Sequence, residues 1–275
     1  MLTTTEGPDV TSPSPPIARP RRAGAPRLVA LAFWALAAIA LIVYLVGRFD
    51  PELMARFGPV YLAGLWTTVS LVALSFLFGM ALSIPIAFGR MSHNPVARGL
   101  AFAYVSFFRG TPLIAQIFLV YYGFGIFREA FETAYLWWFF REAWYCAVFA
   151  ISLNTAAYQA EILRGAIESV PRGQWEGGRS LGLSRLVIFW KVAVPQAMLV
   201  ALRPYANEII LLVKASAIVA IITIFDLMGE TRRAYGRTFD FQTYIWAAIL
   251  YLILVETLRN ATNLAEKRLT RHLVR

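Results

Sequence analysis

Long apolar runs separated by short polar segments make up most of this chain. Six runs, at about residues 28–47, 60–89, 98–125, 143–166, 198–225 and 241–263, approach or exceed the roughly 20 residues that a membrane-spanning helix needs. No comparable stretch alternates with the period of two that a half-buried strand would show. The pattern therefore predicts an all-α membrane protein with six transmembrane helices.

The first run follows a segment of different character. Residues 1–27 are rich in proline, serine, threonine and arginine, which predicts a disordered basic tail. The apolar run at 28–47 is too long for the core of a typical signal peptide, and no small-residue cleavage site follows it. We therefore expect it to be a retained transmembrane helix.

The basic residues predict the orientation of the six helices. With the N-terminus in the cytoplasm, sixteen arginines and lysines fall in cytoplasmic segments and seven in external ones. The seven are Arg48, Arg56, Arg128, Arg141, Arg232, Arg233 and Arg237. Because basic residues collect on the cytoplasmic side, both termini should be cytoplasmic, including the basic tail at 267–275. Three of the external arginines cluster in one loop, against this trend.

Composition agrees with a membrane protein and narrows the chemistry. The 275 residues are 59% hydrophobic and 15% charged, against about 25% charged in a typical soluble domain. The net charge of +10 is explained by topology, so nucleic acid is not expected as a partner. One cysteine and two distant histidines form neither an intrachain disulfide nor a recognisable metal motif.

Catalytic motifs are missing from the sequence. There is no GxxxxGK[ST] phosphate loop and no GxSxG nucleophile elbow. We therefore expect no catalytic residues, no metal site and no bound cofactor. If the chain drives transport, the energy must come from a partner or from an ion gradient.

One polar segment interrupts the apolar pattern in an unusual way. It reads RGQWEGGRSLGLSRLVIFWKVAVP from Arg172 to Pro195. Its start predicts a short helix that ends at Gly182, since glycine commonly follows a helix C-terminus. Gly177 and Gly178 each cost about 1 kcal/mol in a helix interior, so close approach to another backbone is a plausible reason for them. The pattern alone fits a helix on the membrane surface and a docking helix equally well.

The same segment carries a family resemblance. Glu176-Gly177-Gly178, three residues, Gly182, nine residues and Val192-x-Val194-Pro195 resemble the "EAA" loop of ABC importer permeases. The stretches SFFRGTPLIAQIFLVYYG, LNTAAYQAEILRGAIESVPRGQWEGGRSLGLS and PYANEIILLVK resemble the polar amino acid permeases of the histidine/glutamine type. The resemblance covers residue 58 to the C-terminus and leaves out the first helix.

The resemblance implies a transport subunit and its partners. It implies a five-helix importer domain at 58–266, with a cytoplasmic coupling loop at 168–195 and one added N-terminal helix. A second permease, as a homodimer or heterodimer, two ABC ATPases and an extracytoplasmic solute-binding protein would complete the complex. ATP and Mg would be used by the ATPase, and the solute would be a polar amino acid. The residues implied to contact the ATPase are Arg172, Trp175, Glu176, Gly177, Gly178, Arg179, Gly182 and Pro195.

Polar residues within the spans are candidates for the solute path, because such residues are costly in hydrocarbon. The candidates are Glu208, Lys214, Asn154 and Gln116. For Asn154 and Gln116, as for Arg109 and Tyr158, hydrogen bonding between helices is the favoured interpretation. For Glu208 the resemblance favours the solute path. Some relatives that carry basic amino acids have an acidic residue directly after the lysine, where this chain has Ala215, which weakens a cationic substrate.

Two further interpretations stay open at this stage. The chain could be a permease of the same fold for another small polar solute, such as an opine. It could also be an ion-coupled secondary transporter that uses Glu208 and Lys214 as its coupling pair, although no internal repeat supports this. In every case the expected location is the bacterial inner membrane, surrounded by lipid.

Overall fold

The structure, a computed structural model, describes residues 25–47 and 50–269, and every regular element among them is a helix. The predicted tail at 1–27 and the basic tail at 267–275 lie mostly outside these residues. The chain divides into two compact units, and the boundary between them falls after Asp50. The first contains one described helix, α1 (Ala25–Gly47), which has neither an acidic residue in its first turn nor a basic one in its last.

The second unit contains eleven α-helices among the described residues. They are α2 (Pro51–Met91), α3 (Pro95–Gly110), α4 (Leu113–Phe118), α5 (Arg128–Thr133), α6 (Trp137–Phe140), α7 (Ala143–Glu168), α8 (Arg172–Ser180), α9 (Arg185–Ile188), α10 (Val194–Ser216), α11 (Leu227–Thr238) and α12 (Gln242–Leu269). Two π-helical turns, Leu119–Gly123 and Phe189–Ala193, join α4 to a 3₁₀ turn and α9 to α10. A second 3₁₀ turn, Ala217–Ile222, extends α10.

Five helical segments of the described residues are long and apolar enough to cross a membrane. They are Pro51–Met91, Leu113–Thr133, Ala143–Glu168, Arg185–Ile222 and Gln242–Leu269. The predicted span at 198–225 begins earlier than expected, because the π-turn carries the helix back to Arg185. The expected membrane role of α1 stays a prediction, since its apolar stretch Val29–Tyr44 is shorter than these five.

The predicted span at 98–125 is divided into two helices, α3 and α4. Asn94 begins α3 by accepting a hydrogen bond from the Val96 backbone N–H at 2.9 Å. The helix ends at Gly110 because Thr111 is extended, as expected for the residue before a proline. Pro112 then starts α4 in a new direction, and its carbonyl accepts from the Ala115 N–H.

The core lies where α2 packs along α7. Ser75, Gly79 and Ser83, small residues spaced four positions apart, are all buried on α2. A Cβ at Gly79 would overlap the Thr155 side chain of α7, so the glycine allows the two helices to approach closely. Around this contact, apolar side chains of α2, α4, α7 and α10 form one continuous cluster.

The helices α8 and α11 lie at opposite ends of one membrane-spanning segment. The chain leaves α8, runs through Arg185–Ile222, and then enters α11. We call these the α8 end and the α11 end of the bundle. At the α11 end, α11 packs against both α2 and α12.

Candidate functional site

Backbone turns determine the shape of α8. Pro171 is the residue before the helix, and its fixed φ suits a helix start. At the other end the Leu183 N–H donates to the Gly178 carbonyl at 3.0 Å and the Gly182 N–H donates to the Arg179 carbonyl at 2.9 Å. Gly182 itself has φ +73°. This paired arrangement is the Schellman motif, which places a glycine in the left-handed conformation after a helix, so the predicted end at Gly182 is confirmed.

One side of α8 packs against its own chain. Trp175 packs against a cluster that includes Ala166 at the end of α7 and Ala197 in α10. Gly178 is buried, and a Cβ there would lie 2.7 Å from the Ile188 side chain. The reason for Gly178 is therefore a side chain of the same loop, not another backbone as the sequence suggested. Trp175 also faces the permease rather than standing free for a partner.

The other side of α8 is exposed in the part of the chain that the structure describes. The exposed residues include Arg172, Glu176, Gly177, Arg179 and Gly182. A Cβ at Gly177 or Gly182 would meet nothing within 4 Å. Beside these residues are exposed leucines, of which Leu181 is 79% exposed. Charged groups around exposed leucines on a preformed turn are typical of a protein docking surface.

A cavity of about 500 Å³ opens between α3, α7 and α10. Its polar lining consists of Arg109, Tyr158, Glu161, Asn207 and Glu208, and the remainder is mostly aliphatic. The Arg109 guanidinium lies over the Tyr158 ring, 5.2 Å from its centre. The cavity therefore presents a cation and two carboxylates on mostly apolar walls, which is the usual composition of a small-molecule site.

Glu161 is held by arginines from three helices. Its carboxylate accepts from Arg90 Nε of α2 at 2.9 Å and from Arg164 Nη2 at 2.8 Å, and Arg109 Nη1 lies 4.0 Å away. Arg164 also reaches Glu168 at 2.6 Å. The shared carboxylate ties α2, α3 and α7 together at the wall of the cavity. The sequence analysis missed this network, although Glu161 lies on the same helical face as Tyr158.

Glu208 is 6% exposed and lines the same cavity from α10. Its Oε1 accepts a hydrogen bond of 2.7 Å from the Thr155 hydroxyl of α7. Thr155 in turn accepts from Gln159 Nε2 at 3.1 Å. Glu208 is therefore oriented by a neighbouring helix while it faces the cavity.

The other three candidates for the solute path lie elsewhere. Asn154 donates to Gln116 Oε1 at 2.9 Å and to the Phe108 carbonyl at 3.0 Å. Gln116 donates to the Thr111 hydroxyl at 2.7 Å. This pair satisfies polar groups at the break between α3 and α4, which matches the favoured interpretation of hydrogen bonding between helices. Lys214 is exposed on α10 and does not line the cavity.

A bundle of membrane-spanning helices around a polar cavity is typical of a membrane transport protein. Residues 79–271 match the family described as binding-protein-dependent transport system inner membrane component, and the chain belongs to that family. It is therefore a multi-pass protein of the inner membrane. Because transport in this family depends on a binding protein, the ion-coupled alternative is set aside.

Named relatives cover most of the chain. The nopaline transport system permease protein NocM of Agrobacterium fabrum is 38% identical over 225 residues, 82% of this chain and 93% of NocM. The arginine ABC transporter permease protein ArtM of Haemophilus influenzae is 38% identical over 196 residues, 71% of this chain and 86% of ArtM. A solved structure described as an amino acid ABC transporter with histidines superposes with a TM-score of 0.72 at 32% identity, covering 80% of this chain and 99% of that one. These relatives confirm the predicted five-helix permease core and the assignment as a permease subunit rather than an enzyme.

Proposed function

We propose that this chain is the permease subunit of an ATP-driven importer of polar amino acids. The observation that carries the proposal is the cavity of about 500 Å³, where the Arg109 guanidinium and the Glu208 carboxylate line one volume. An amino acid carries a carboxylate and an ammonium group on one carbon. Its recognition therefore needs a fixed donor and a fixed acceptor facing the same space, on otherwise apolar walls.

The two charges have different settings in the cavity. Arg109 is stacked on Tyr158 with its side chain 45% exposed, so its guanidinium has free donors for an incoming carboxylate. Glu208 is buried and accepts one hydrogen bond, from Thr155, which leaves carboxylate lone pairs for an ammonium group. The similarity to an arginine permease and to a nopaline permease supports a solute of this chemical class.

Energy for transport comes from partner subunits in this proposal. The exposed side of α8 docks onto an ABC ATPase, which uses ATP and Mg, and a second permease completes the path as a homodimer or heterodimer. A solute-binding protein delivers the amino acid at the α11 end. Closure of the ATPases moves the α8 loop, and α10 carries this movement to Glu208, so that the cavity opens to alternate sides.

The proposed orientation places the α8 end in the cytoplasm and both termini there, with α1 as a sixth membrane helix. A reporter fused after Arg27 and another after Arg275 should both report cytoplasm, and one inserted near Glu132 should report the outside. An external signal from the N-terminal reporter would mean that α1 does not cross the membrane. The five-helix core would keep its orientation in that case.

Glu208→Gln tests the proposed path directly. In proteoliposomes containing the full complex, uptake of labelled amino acids should fall at least about tenfold, because a neutral amide is a much weaker partner for an ammonium than a carboxylate is. Assembly, measured as ATPase recovered with tagged permease, should stay at the wild-type level. Glu256→Gln, an exposed carboxylate on α12, is the matched control and should transport normally. Normal uptake by Glu208→Gln, or lost assembly, would assign Glu208 a structural role.

An opine is the second candidate solute, favoured by the 38% identity to the nopaline permease. Both candidates present carboxylate and amino groups, so the cavity alone does not separate them. A thermal-shift screen of the purified solute-binding protein separates them: stabilisation by free amino acids supports the first proposal, and stabilisation by nopaline or octopine alone supports the second.

A further inference from the structure

A cluster of arginines lies on the exposed side of α11. Arg232, Arg233 and Arg237 are all exposed, and the cavity and the α8 loop involve none of them. In the proposed orientation this end faces outward, where membrane proteins carry fewer basic residues. In the sequence, the same three arginines are an exception to the expected excess of basic residues on the cytoplasmic side. Three cations in one short helix, on the side of the membrane where basic residues are rare, indicate that a partner binds them.

Buried contacts keep these arginines facing outward. Leu227, Thr231 and Ala234, on the opposite side of α11, are each at most 1% exposed. The Leu227 N–H donates to the Thr68 hydroxyl of α2 at 3.1 Å, and the Asp226 carboxylate accepts from the Gly229 N–H at 2.8 Å. The helix therefore cannot roll to hide its cationic side.

The described residues neutralise little of this positive charge. Glu230 is the one acidic residue of α11, and its Oε1 lies 3.4 Å from Arg233 Nη1. The Arg233 guanidinium also lies 4.9 Å from the centre of the Phe225 ring. Arg232 and Arg237 make no ion pair with the residues that the structure describes. Neither guanidinium makes a hydrogen bond with the described residues, so both face outward on this surface.

Aromatic side chains border the arginines at the end of α11. The Tyr235 ring packs against Phe239 and Phe241, with ring centres 6.0 and 5.1 Å away. Phe239 is 76% exposed and has φ +53°, and Phe241 is 66% exposed. A left-handed phenylalanine is costly, and such strain is commonly kept where it serves function. Arginine together with tyrosine and phenylalanine is also the composition enriched at the centres of protein interfaces.

We propose that α11 and the turn at Phe239–Phe241 form the docking surface for an acidic face of the extracytoplasmic solute-binding protein. This inference rests on the proposed function, which supplies the orientation and a soluble partner outside. Carboxylates of that partner would pair with Arg232 and Arg237, since guanidinium and carboxylate groups form strong, geometrically specific pairs. Because α11 packs on α2 and α12, docking there acts directly on the membrane helices.

The test is a titration of the binding protein against the assembled complex. The full complex is placed in phosphatidylcholine nanodiscs, and the binding protein of the same system, purified with the solute it retains, is added while ATP hydrolysis is measured. For Arg232→Glu/Arg237→Glu, the concentration giving half-maximal stimulation should rise at least about tenfold, because like charges then face each other. Added salt should raise this concentration for the wild type and change it little for the variant. Unstimulated hydrolysis should not change.

Two controls make the result specific to this surface. Arg128→Glu/Arg141→Glu changes the same charge on the same side of the membrane, in the loop that contains α5 and α6, and should shift the half-maximal concentration less than about twofold. Arg232→Lys/Arg237→Lys keeps the charge and should keep most of the stimulation, which would show that the effect follows the charge at these positions.

Each other outcome overturns the inference in a different way. If the wild type is stimulated and the double glutamate variant responds equally, α11 is not the docking surface, and the proposed function stands. If the binding protein does not stimulate the wild type at all, the proposed function fails and this inference fails with it. If the defect appears only in nanodiscs that contain phosphatidylglycerol, and without binding protein, the arginines bind lipid headgroups and the inference is wrong.

Discussion

The helices α8 and α11 are both short, polar and placed between membrane spans, yet they are held in opposite ways. The nine residues of α8 are shaped mainly by backbone turns at Pro171 and Gly182, and one side of the helix is exposed. The twelve residues of α11 are fixed by buried polar contacts from Asp226 and Thr68. The conformation of α8 therefore depends mainly on its own backbone, whereas α11 is hydrogen-bonded to the helix bundle.

This difference separates two ways of contacting a partner. A segment that must move with an ATPase gains from a conformation that its own backbone maintains during movement. A segment that binds a partner and must not move on binding benefits from firm attachment to the membrane helices. We therefore expect substitutions in α8 to affect coupling and leave the permease folded, and substitutions beneath α11 to affect the permease itself.

Gly182→Asp should have the largest effect on transport. An aspartate at φ +73° strains the turn by about 1 kcal/mol and places a charge in the proposed ATPase interface, where an unpaired buried charge costs several kcal/mol more. We expect normal membrane insertion with loss of the ATPase and loss of uptake, measured by co-purification and by transport. Gly182→Asn, which tolerates this conformation and carries no charge, is the matched control and should keep most ATPase. Normal ATPase recovery and normal uptake by Gly182→Asp would remove α8 as the coupling helix.

A matched pair of glycine substitutions tests the contrast between the two helices. A Cβ at Gly229 would lie 2.5 Å from the Ile224 carbonyl, so Gly229→Ala should destabilise the purified permease by about 1–3 kcal/mol, the usual cost of overpacking. A Cβ at Gly177 meets nothing within 4 Å, so Gly177→Ala should leave the thermal stability of the permease unchanged or slightly raised. Equal melting temperatures for the two variants would show that the helices are not attached differently.

Asp226 offers a smaller and pH-dependent test. Burial raises the pKa of Asp226 from 3.8 to about 6. Because the folded-state pKa lies above the unfolded one, the stability that this group contributes is fully present below about pH 4 and is lost as the pH rises through 6. Asp226→Asn keeps a side chain that can cap α11 but cannot ionise. The advantage of the wild type over this variant should therefore shrink between pH 4 and pH 6.5, as followed by thermal unfolding.

Asp226→Ala completes that test. It removes the cap altogether and should cost about 1 kcal/mol, the typical value for an N-cap, near pH 4, and this cost should fall as the pH rises through 6 because alanine does not ionise. A difference between wild type and Asp226→Asn that is constant with pH would mean that Asp226 does not change its ionisation on folding. Equal stability of Asp226→Ala and the wild type would mean that the cap does not hold α11.

Local chemistry made α8 predictable from the sequence, and distant contacts hid the environment of Glu161. A glycine after a short helix identified the turn at Gly182, because this effect acts on neighbouring residues. Arg90 and Glu161 are 71 positions apart, and only the packing of α2 on α7 brings them together. The sequence showed each charge and not the ion pair.

For the cavity as well, the sequence predicted a single residue but not which residues of other helices lie beside it. Glu208 was a candidate because of its cost within an apolar span and the family resemblance. Arg109, which lines the same cavity, belongs to a different helix. It lies beside the cavity near the end of α3, which the extended Thr111 before Pro112 terminates. Lys214 was a candidate because it is a charged residue of the same apolar span, although a separation of six residues puts it about 120° around α10 from Glu208.

The length of α2 has a consequence for the height at which partners meet this protein. Its 41 residues, at about 1.5 Å each, extend about 60 Å, and the hydrocarbon layer of a bilayer is about 30 Å thick. Even a strongly tilted helix of that length projects from the membrane. The first turns of α2, with Leu53, Phe57 and Tyr61, are the ones that pack against Leu227 and Ala234 of α11. We expect this end of α2 to extend beyond the hydrocarbon layer. Because α11 packs on it, α11 would then lie above the lipid, where a soluble protein can reach it.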